Sequence, residues 1–249
     1  MVGKVGKGMP EWFTYAKARA SFAQVGNDMD AYQLYNTYSI GSDPNGNTTA
    51  GQGKTKYDAD VRSELITSWE AGAELKFFNN RLGVDFAWYK TNAKRQLMNI
   101  PLNNLSGYDN MKVNAGNIQN TGIEIMLNAR PIETAQFSWD TQLNFSQNKS
   151  KIIELLPGKP GMQYALGGSD ALQVYAVAGG AYGEIWGTKY QRVEEGEFKG
   201  QLLLNESGLP QATSDKHKIG EQQPDFLLGW TNTFNYKNFT LSFLIDGCW

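Results

Sequence analysis

Residues 121–148 read TGIEIMLNARPIETAQFSWDTQLNFSQN, and two runs within them beat with a period of two. In Thr121–Arg130, Ile123, Ile125 and Leu127 alternate with Glu124, Met126 and Asn128. In Gln136–Asn148, Phe137, Trp139, Thr141, Leu143 and Phe145 alternate with Ser138, Asp140, Gln142 and Asn144. Successive side chains of a strand point to opposite faces, so each run needs an apolar environment on one side and water or polar groups on the other. Pro131–Ala135 is short enough to join the two as a hairpin. A sheet packed on a soluble core meets these demands, and so does the wall of a membrane β-barrel.

Five further runs alternate in the same way. Trp12–Val25 sets Ala16, Ala18, Ala20 and Phe22 against Lys17, Arg19 and Ser21, and Ser68–Phe78 sets Ala71, Ala73, Leu75 and Phe77 against Glu70, Gly72, Glu74 and Lys76. Arg81–Lys90 sets Leu82, Val84, Phe86 and Trp88 against Gly83, Asp85, Ala87 and Tyr89. Phe226–Tyr236 is followed by Phe239–Asp246, where Phe239, Leu241, Phe243 and Ile245 alternate with Thr240, Ser242 and Asp246. Asn79-Asn80 and Lys237-Asn238 are the expected two-residue turns, because Asn tolerates positive φ. Between the hairpins lie long polar stretches, 26–67, 98–120 and 150–225, expected to be loops without structure of their own.

Short and long connections therefore alternate. In an up-and-down antiparallel wall this puts the short turns at one end and the long loops at the other, as in outer-membrane barrels. Trp69, Phe77, Phe78, Trp88, Tyr89, Trp139, Phe145, Trp230, Tyr236 and Phe239 gather towards strand ends, as interfacial aromatics do, although strand-end aromatics also flank turns in soluble sandwiches. Structureless connections beyond about 12–15 residues are uncommon in compact soluble domains, and the three expected here favour the barrel wall.

Composition narrows the classes. The 249 residues suffice for one large all-β domain, taken here as 1–249. Lys and Arg total 23 against 25 Asp and Glu with no basic block, which speaks against a nucleic-acid partner. No apolar stretch approaches the roughly 20 residues of a spanning helix. Cys248 is the only cysteine, so an intramolecular disulfide and a cysteine-rich metal site are both excluded. The opening MVGKVGKGMPEWFTYAKARA lacks the apolar core of about 7–15 residues that a leader needs. The expectation is either a cytosolic β protein or an interior piece of a longer precursor, and the barrel features favour the second.

Candidate chemistry is thin. GQGKT at Gly51–Thr55 lacks the glycine a phosphate loop needs at the position of Thr48, and no apolar strand leads into it. Asp58 and Asp60 lack the further spaced ligands of a calcium loop. His217, the only histidine, sits between lysines with no nucleophile elbow, and Glu194, Glu195 and Glu197 read as solvated loop charge. Six N-x-S/T sequons, including those at Asn47 and Asn104, follow from composition; those at Asn144 and Asn238 fall in or beside expected strands. No catalytic, metal or cofactor residue is assigned, no enzyme is expected, and the substrate-binding residues stay open.

With the hairpins placed, the chain resembles the SusC/RagA family of TonB-linked outer-membrane transporters. The resemblance rests on KARASFAQVGND (17–28), TSWEAGAELKFFNNRLGVDFAWYKTNAKRQ (67–96), SGYDNMKVNAGNIQNTGIEIMLNARPI (106–132), FSWDTQLNFSQNKSKI (137–152), GAYGEIWGTKYQR (180–192) and IGEQQPDFLLGWTNTFNYKNFTLSFLIDG (219–247). It implies part of a plugged barrel of about 22 strands. It further implies import of glycans or peptides with a SusD-like lipoprotein lid, driven by the TonB complex, in the outer membrane and against its lipid. No plug or TonB-contacting segment is recognised in the sequence, so the chain is expected to be a fragment of the C-terminal half of the barrel, not transport-competent alone. The alternative is a soluble β-sandwich binding carbohydrate through Trp and Tyr, in which Phe137, Trp139, Leu143, Leu241 and Phe243 would pack against a second sheet.

Overall fold

The computed structural model describes residues 10–29, 32, 34–35, 37–58 and 60–249. Met1 to Met9, the start of the segment expected to lack a leader core, lie outside the described residues. The described chain is all β. Its strands are β1 (Phe13–Asn27), β2 (Tyr38–Ser42), β3 (Thr48–Gln52), β4 (Thr55–Tyr57), β5 (Glu64–Phe77), β6 (Leu82–Pro101), β7 (Asn110–Glu133), β8 (Phe137–Glu154), β9 (Gln163–Gly168), β10 (Leu172–Val177), β11 (Tyr182–Gly187), β12 (His217–Glu221), β13 (Leu227–Tyr236) and β14 (Phe239–Cys248). A single 3-10 turn at Asn104–Ser106 completes the description.

The seven alternating runs become one antiparallel wall in the order β1-β5-β6-β7-β8-β13-β14, with β1 and β14 at its edges. One row across it reads Ala16, Leu75, Val84, Leu127, Leu143, Trp230, Ile245; the adjacent row reads Lys17, Glu74, Asp85, Met126, Asn144, Gly229, Asp246. The register thus adds the alternation of seven separate strands into one apolar face and one polar face. A slip of one residue in any strand would exchange its two sets.

No second sheet covers the apolar face of the described wall, which overturns the sandwich alternative. Trp69, Phe86, Trp230, Leu241, Phe243 and Ile245 on that face are exposed. The buried apolar residues among those described are Ala87, Val113, Ala115, Ile152, Leu155 and Ala176, far too few to be the core of a soluble domain of this length. Each wall strand has at least the 10 residues of β13 and β14, enough to cross a hydrocarbon layer.

Two indoles on the apolar face find acceptors on it, while Asn232 Nδ2 is buried without a partner. Trp139 Nε1 donates to Asn232 Oδ1 at 3.0 Å and Trp230 Nε1 to Thr141 Oγ1 at 2.8 Å, and Thr141 lies opposite Asn232 in the register. The two polar residues that interrupt the pattern are therefore the acceptors for two indoles that have no water to turn to in an apolar layer. On the polar face, long side chains step over glycines to reach partners two strands away. Arg19 crosses Gly72 to form a bidentate pair with Asp85 at 2.7 and 2.9 Å, and Tyr89 crosses Gly122 to donate to Asn148 Oδ1 at 3.2 Å. Tyr89 consequently lies on the polar face and is no part of an aromatic belt on the other side.

The connections differ from expectation in three ways. The Asn79-Asn80 turn is a four-residue loop, because Phe77 pairs with Leu82 and positive φ extends over Phe78, Asn79 and Asn80. The turn placed at Pro131–Ala135 lies instead at 134–136, since Pro131, without an N–H, is absorbed in an irregularity between Ala129 and Ile132. The long stretches are also not structureless. Most of 98–120 is the upper part of β6 and β7, 26–67 holds β2, β3 and β4, and 150–225 holds the four-stranded sheet β12-β11-β10-β9. Those segments are short or mix apolar and polar residues on both faces, as in LQVYAV at Leu172–Val177, so they lack the hydropathic alternation that revealed the wall. Lys237-Asn238 is the expected two-residue turn, with Tyr236 opposite Phe239 and Lys237 at φ 52°.

Candidate functional site

The structured loops stand together at the long-loop end of the wall, and three devices hold them there. The first is the β6–β7 hairpin, which outruns β5 by seven residues, since Leu65 pairs with Lys94 and β6 continues to Pro101. At its base both strands break step between the pairs Lys94–Asn117 and Gln96–Ala115. The two residues between, Arg95 and Gly116, adopt φ of 59° and 85°. Asn114 staples this break: its Nδ2 donates to the carbonyls of Arg62 and Arg95 at 2.7 and 2.8 Å, and its Oδ1 accepts from the Arg62 N–H. Glu64 Oε1 accepts from the N–H of Leu97 at 3.1 Å. β4 then pairs in parallel with Asn110–Lys112 of β7.

The second device is the small sheet β9–β12. β13 covers the edge of β8 only as far as Ser146, and above it Ile152 exchanges backbone hydrogen bonds with Gly179 and Gly180 at 2.8 and 2.9 Å. Ile152, Leu155 and Ala176 form the buried cluster beneath, with Met98, Ile118, Met162 and Tyr164 around it. Within this sheet Glu184 is almost fully buried. It accepts from Lys218 Nζ at 2.9 Å, Trp186 Nε1 at 3.0 Å and the Ala181 N–H at 3.2 Å, while Lys218 also reaches Glu221 at 2.6 Å. Burial alone would raise the Glu184 pKa, but these donors outweigh it and hold the carboxyl below its ordinary range. The Lys218 ammonium is pushed above the ordinary lysine range by its hydrogen bonds to Glu221 and Glu184.

The third device is the long segment between β11 and β12. Gln191, Leu203 and Gln211 close a ring of backbone hydrogen bonds: Gln191 donates to Gln211 at 2.8 Å, Gln211 to Leu203 and Leu203 to Gln191 at 2.9 Å each. Beside this junction opens an open cavity of about 1330 Å³ lined by Lys189, Tyr190, Arg192, Glu194 and His217, among others. Cation, anion, imidazole and phenol groups face one space, an arrangement that can hydrogen-bond and stack on a polar ligand. It offers no nucleophile with an adjacent base.

The structure brings His217 and Glu194 to this cavity, a convergence that their separation in sequence hides. Glu195 and Glu197 lie in the exposed loop beside it. Gly51 and Gln52 of GQGKT end β3, Thr55 opens β4, and Lys54 pairs with Asp109 at 3.4 Å, so the motif joins two strands instead of leading from strand to helix. Asp60 pairs with Arg62 at 2.9 Å. Among the described residues, no group of three or more His, Cys, Asp or Glu side chains is placed to hold a metal ion.

Comparison with known proteins settles the class. The profile of the TonB dependent receptor-like β-barrel matches residues 10–244. The chain belongs to the TonB-dependent receptor family. Among its relatives, the TonB-dependent receptor SusC of Bacteroides thetaiotaomicron is 29% identical over 235 residues, covering 88% of this chain and 23% of SusC. The TonB-dependent receptor P3 of Formosa agariphila is 28% identical over 249 residues, covering 91% of this chain and 25% of P3. Among solved structures, a chain of the RagAB peptide transporter superposes with a TM-score of 0.73 at 18% identity, over 96% of this chain and 27% of that one, a likeness of fold. This TonB-dependent receptor chain thus spans about a quarter of the length of the relatives it matches.

Proposed function

We propose that this chain is part of the wall of an outer-membrane importer that takes up glycans or peptides, works with a SusD-like lipoprotein, and is driven by TonB. The observation that carries the reading is the pair of adjacent rows across all seven strands, one apolar and one carrying Lys17, Glu74, Asp85, Asn144 and Asp246. Such a sheet is stable where hydrocarbon meets one face and an aqueous or protein-filled lumen meets the other. The apolar face is then the lipid face, and the loop assembly with its cavity is the substrate-facing rim. The named relatives support the class, and the RagAB transporter supports peptides as one of the two cargo types.

In hydrocarbon the free edges of β1 and β14 would each carry unpaired backbone groups costing several kcal/mol apiece, so the wall requires neighbouring strands to insert. The test is to replace Thr188–Thr213, in the complete receptor that carries this chain, by a short Gly/Ser linker and to follow labelled oligosaccharide and oligopeptide uptake. Uptake is expected to fall at least about tenfold while heat-modifiable gel mobility still reports a folded barrel. Unchanged uptake of both cargoes would remove the rim from substrate handling, and uptake of neither by the unaltered receptor would overturn the import reading.

A further inference from the structure

The wall carries its charges unevenly, and the exception to its apolar face is ordered. Immediately above the apolar rows, on the same face, the register sets Trp69, Lys90, Thr121 and Lys149 in one row and Thr67, Asn92, Gln119 and Lys151 in the next, with Leu65, Lys94 and Asn117 beyond. Neighbouring strands lie about 4.8 Å apart and same-face residues about 6.8 Å apart along a strand, which places the four lysine attachment points within a field of about 15 Å. Lys94, Lys149 and Lys151 are exposed and Lys90 is half-buried. Among the described residues none of the four makes an ion pair, in contrast to Arg19, Lys54, Arg62, Lys76, Arg81, Arg130 and Lys218.

No carboxylate shares the first two of these rows. Glu70, Glu74, Asp85, Glu124, Asp140 and Asp246 all stand on the opposite face of the wall. The nearest acids are Glu64, which accepts from Asn27 and Leu97, and Glu154, which ends the third row two strands from Lys94, opposite Asn117. A depression of about 420 Å³ lies at Lys90 and Lys94, lined also by Trp69, Asn92 and Gln119, while Lys149 and Lys151 border a neighbouring depression with Lys218, Glu221 and Asp225. An apolar band, an aromatic ring at its rim, and then unpaired cations among amides is the vertical order of a lipid molecule: chains, glycerol or sugar backbone, phosphate.

We infer that this patch binds the phosphate groups of an anionic lipid of the leaflet on the long-loop side, with Lys90, Lys94, Lys149 and Lys151 as the phosphate ligands and Trp69 at the boundary with its chains. The inference rests on the proposed reading that the apolar face meets hydrocarbon. A lysine beside a charged lipid surface is worth roughly a factor of five in binding, so several acting together give a preference well above tenfold.

The test uses the complete receptor in phosphatidylcholine nanodiscs doped with phosphorylated lipid A or with the same lipid after enzymatic dephosphorylation, with retained lipid counted by native mass spectrometry. Unaltered protein is expected to retain the phosphorylated form about tenfold or more over the dephosphorylated one. The fourfold variant Lys90→Gln, Lys94→Gln, Lys149→Gln, Lys151→Gln should lose that preference, while the fourfold Lys→Arg variant should keep it. Inorganic phosphate at the lipid's concentration should leave retention unchanged; displacement by it would overturn a lipid site in favour of a free-anion site. Equal retention of the two lipids by the unaltered protein, or an undiminished preference in the Gln variant, would overturn the inference while leaving the barrel reading intact. Failure of the unaltered receptor to enter nanodiscs as a heat-modifiable barrel would instead overturn the reading on which it rests.

Discussion

Gly122 and Gly72 show how single residues shape the polar face. A Cβ at Gly122 would meet the Tyr89 ring, so Gly122→Val should displace Tyr89 from Asn148 and destabilise the wall by about 1–3 kcal/mol, as overpacking does. Urea unfolding followed by tryptophan fluorescence would measure the loss, and Tyr89→Phe, which removes only the hydrogen bond, should cost about 1 kcal/mol. Glu184 makes a second case, with a pH signature. Its carboxyl is held below the ordinary range, so its stabilisation is fully present above the ordinary carboxylate pKa and fades as pH falls through the lowered value. Lys218, raised, contributes below the ordinary lysine pKa and loses its contribution as pH rises through the raised value. The protection factors of Tyr182–Gly187, taken relative to the intrinsic exchange rate at each pH, should therefore fall on acidification, and in Glu184→Gln they should be low already at neutral pH and nearly flat through the acid range. Equal acid sensitivity in the variant would show that another group is responsible.

Among the elements, the β6–β7 hairpin stands above the wall, with neighbours at its base, along β4 and where Met98 packs against the Ile152 cluster. Its rigidity depends on the break at Arg95 and Gly116 being held by Asn114. Asn114→Ala leaves two carbonyls and one N–H without their partner, at a cost of about 1–3 kcal/mol. The expected effect is local: amide protection of 95–101 and 110–116 should drop while that of 82–93 stays, since β5 and β8 still clamp the lower hairpin. Gly116→Val should add about 1–2 kcal/mol by forcing a branched side chain into the left-handed region. Loss of protection spread evenly over the whole hairpin in either variant would refute the staple.

For the whole molecule, the decisive property is which way each face looks. Leu143 and Asn144 are sequence neighbours on opposite faces, in the apolar and polar rows respectively. Leu143→Lys in the complete receptor should reduce folding into lipid vesicles by about 2–4 kcal/mol, whereas Asn144→Lys should change it by less than about 1 kcal/mol. Equal penalties would mean that neither face is singled out by lipid. The same two-faced design explains why the wall has almost no conventional core: its apolar surface is meant for a solvent other than protein. Only where the loops rise above it does a small buried cluster form, around Ile152, Leu155 and Ala176.

The sequence by itself determined the seven wall strands, their hairpin pairing and their two faces, because a period of two in hydropathy is a local consequence of strand geometry. Family resemblance added the class. It did not reveal β9–β12 or the upper halves of β6 and β7, whose residues mix apolar and polar side chains on both sides and carry no such period. Tertiary structure alone decided the rest. Strand pairing turned seven separate alternations into continuous rows, which brought Lys90, Lys94, Lys149 and Lys151 from two distant hairpin strands onto one face. Loop packing brought His217 to Glu194 and buried Glu184 beside Lys218. These contacts depend on register and on long-range backbone bonds between segments far apart in the chain, and a short-range pattern holds no record of them.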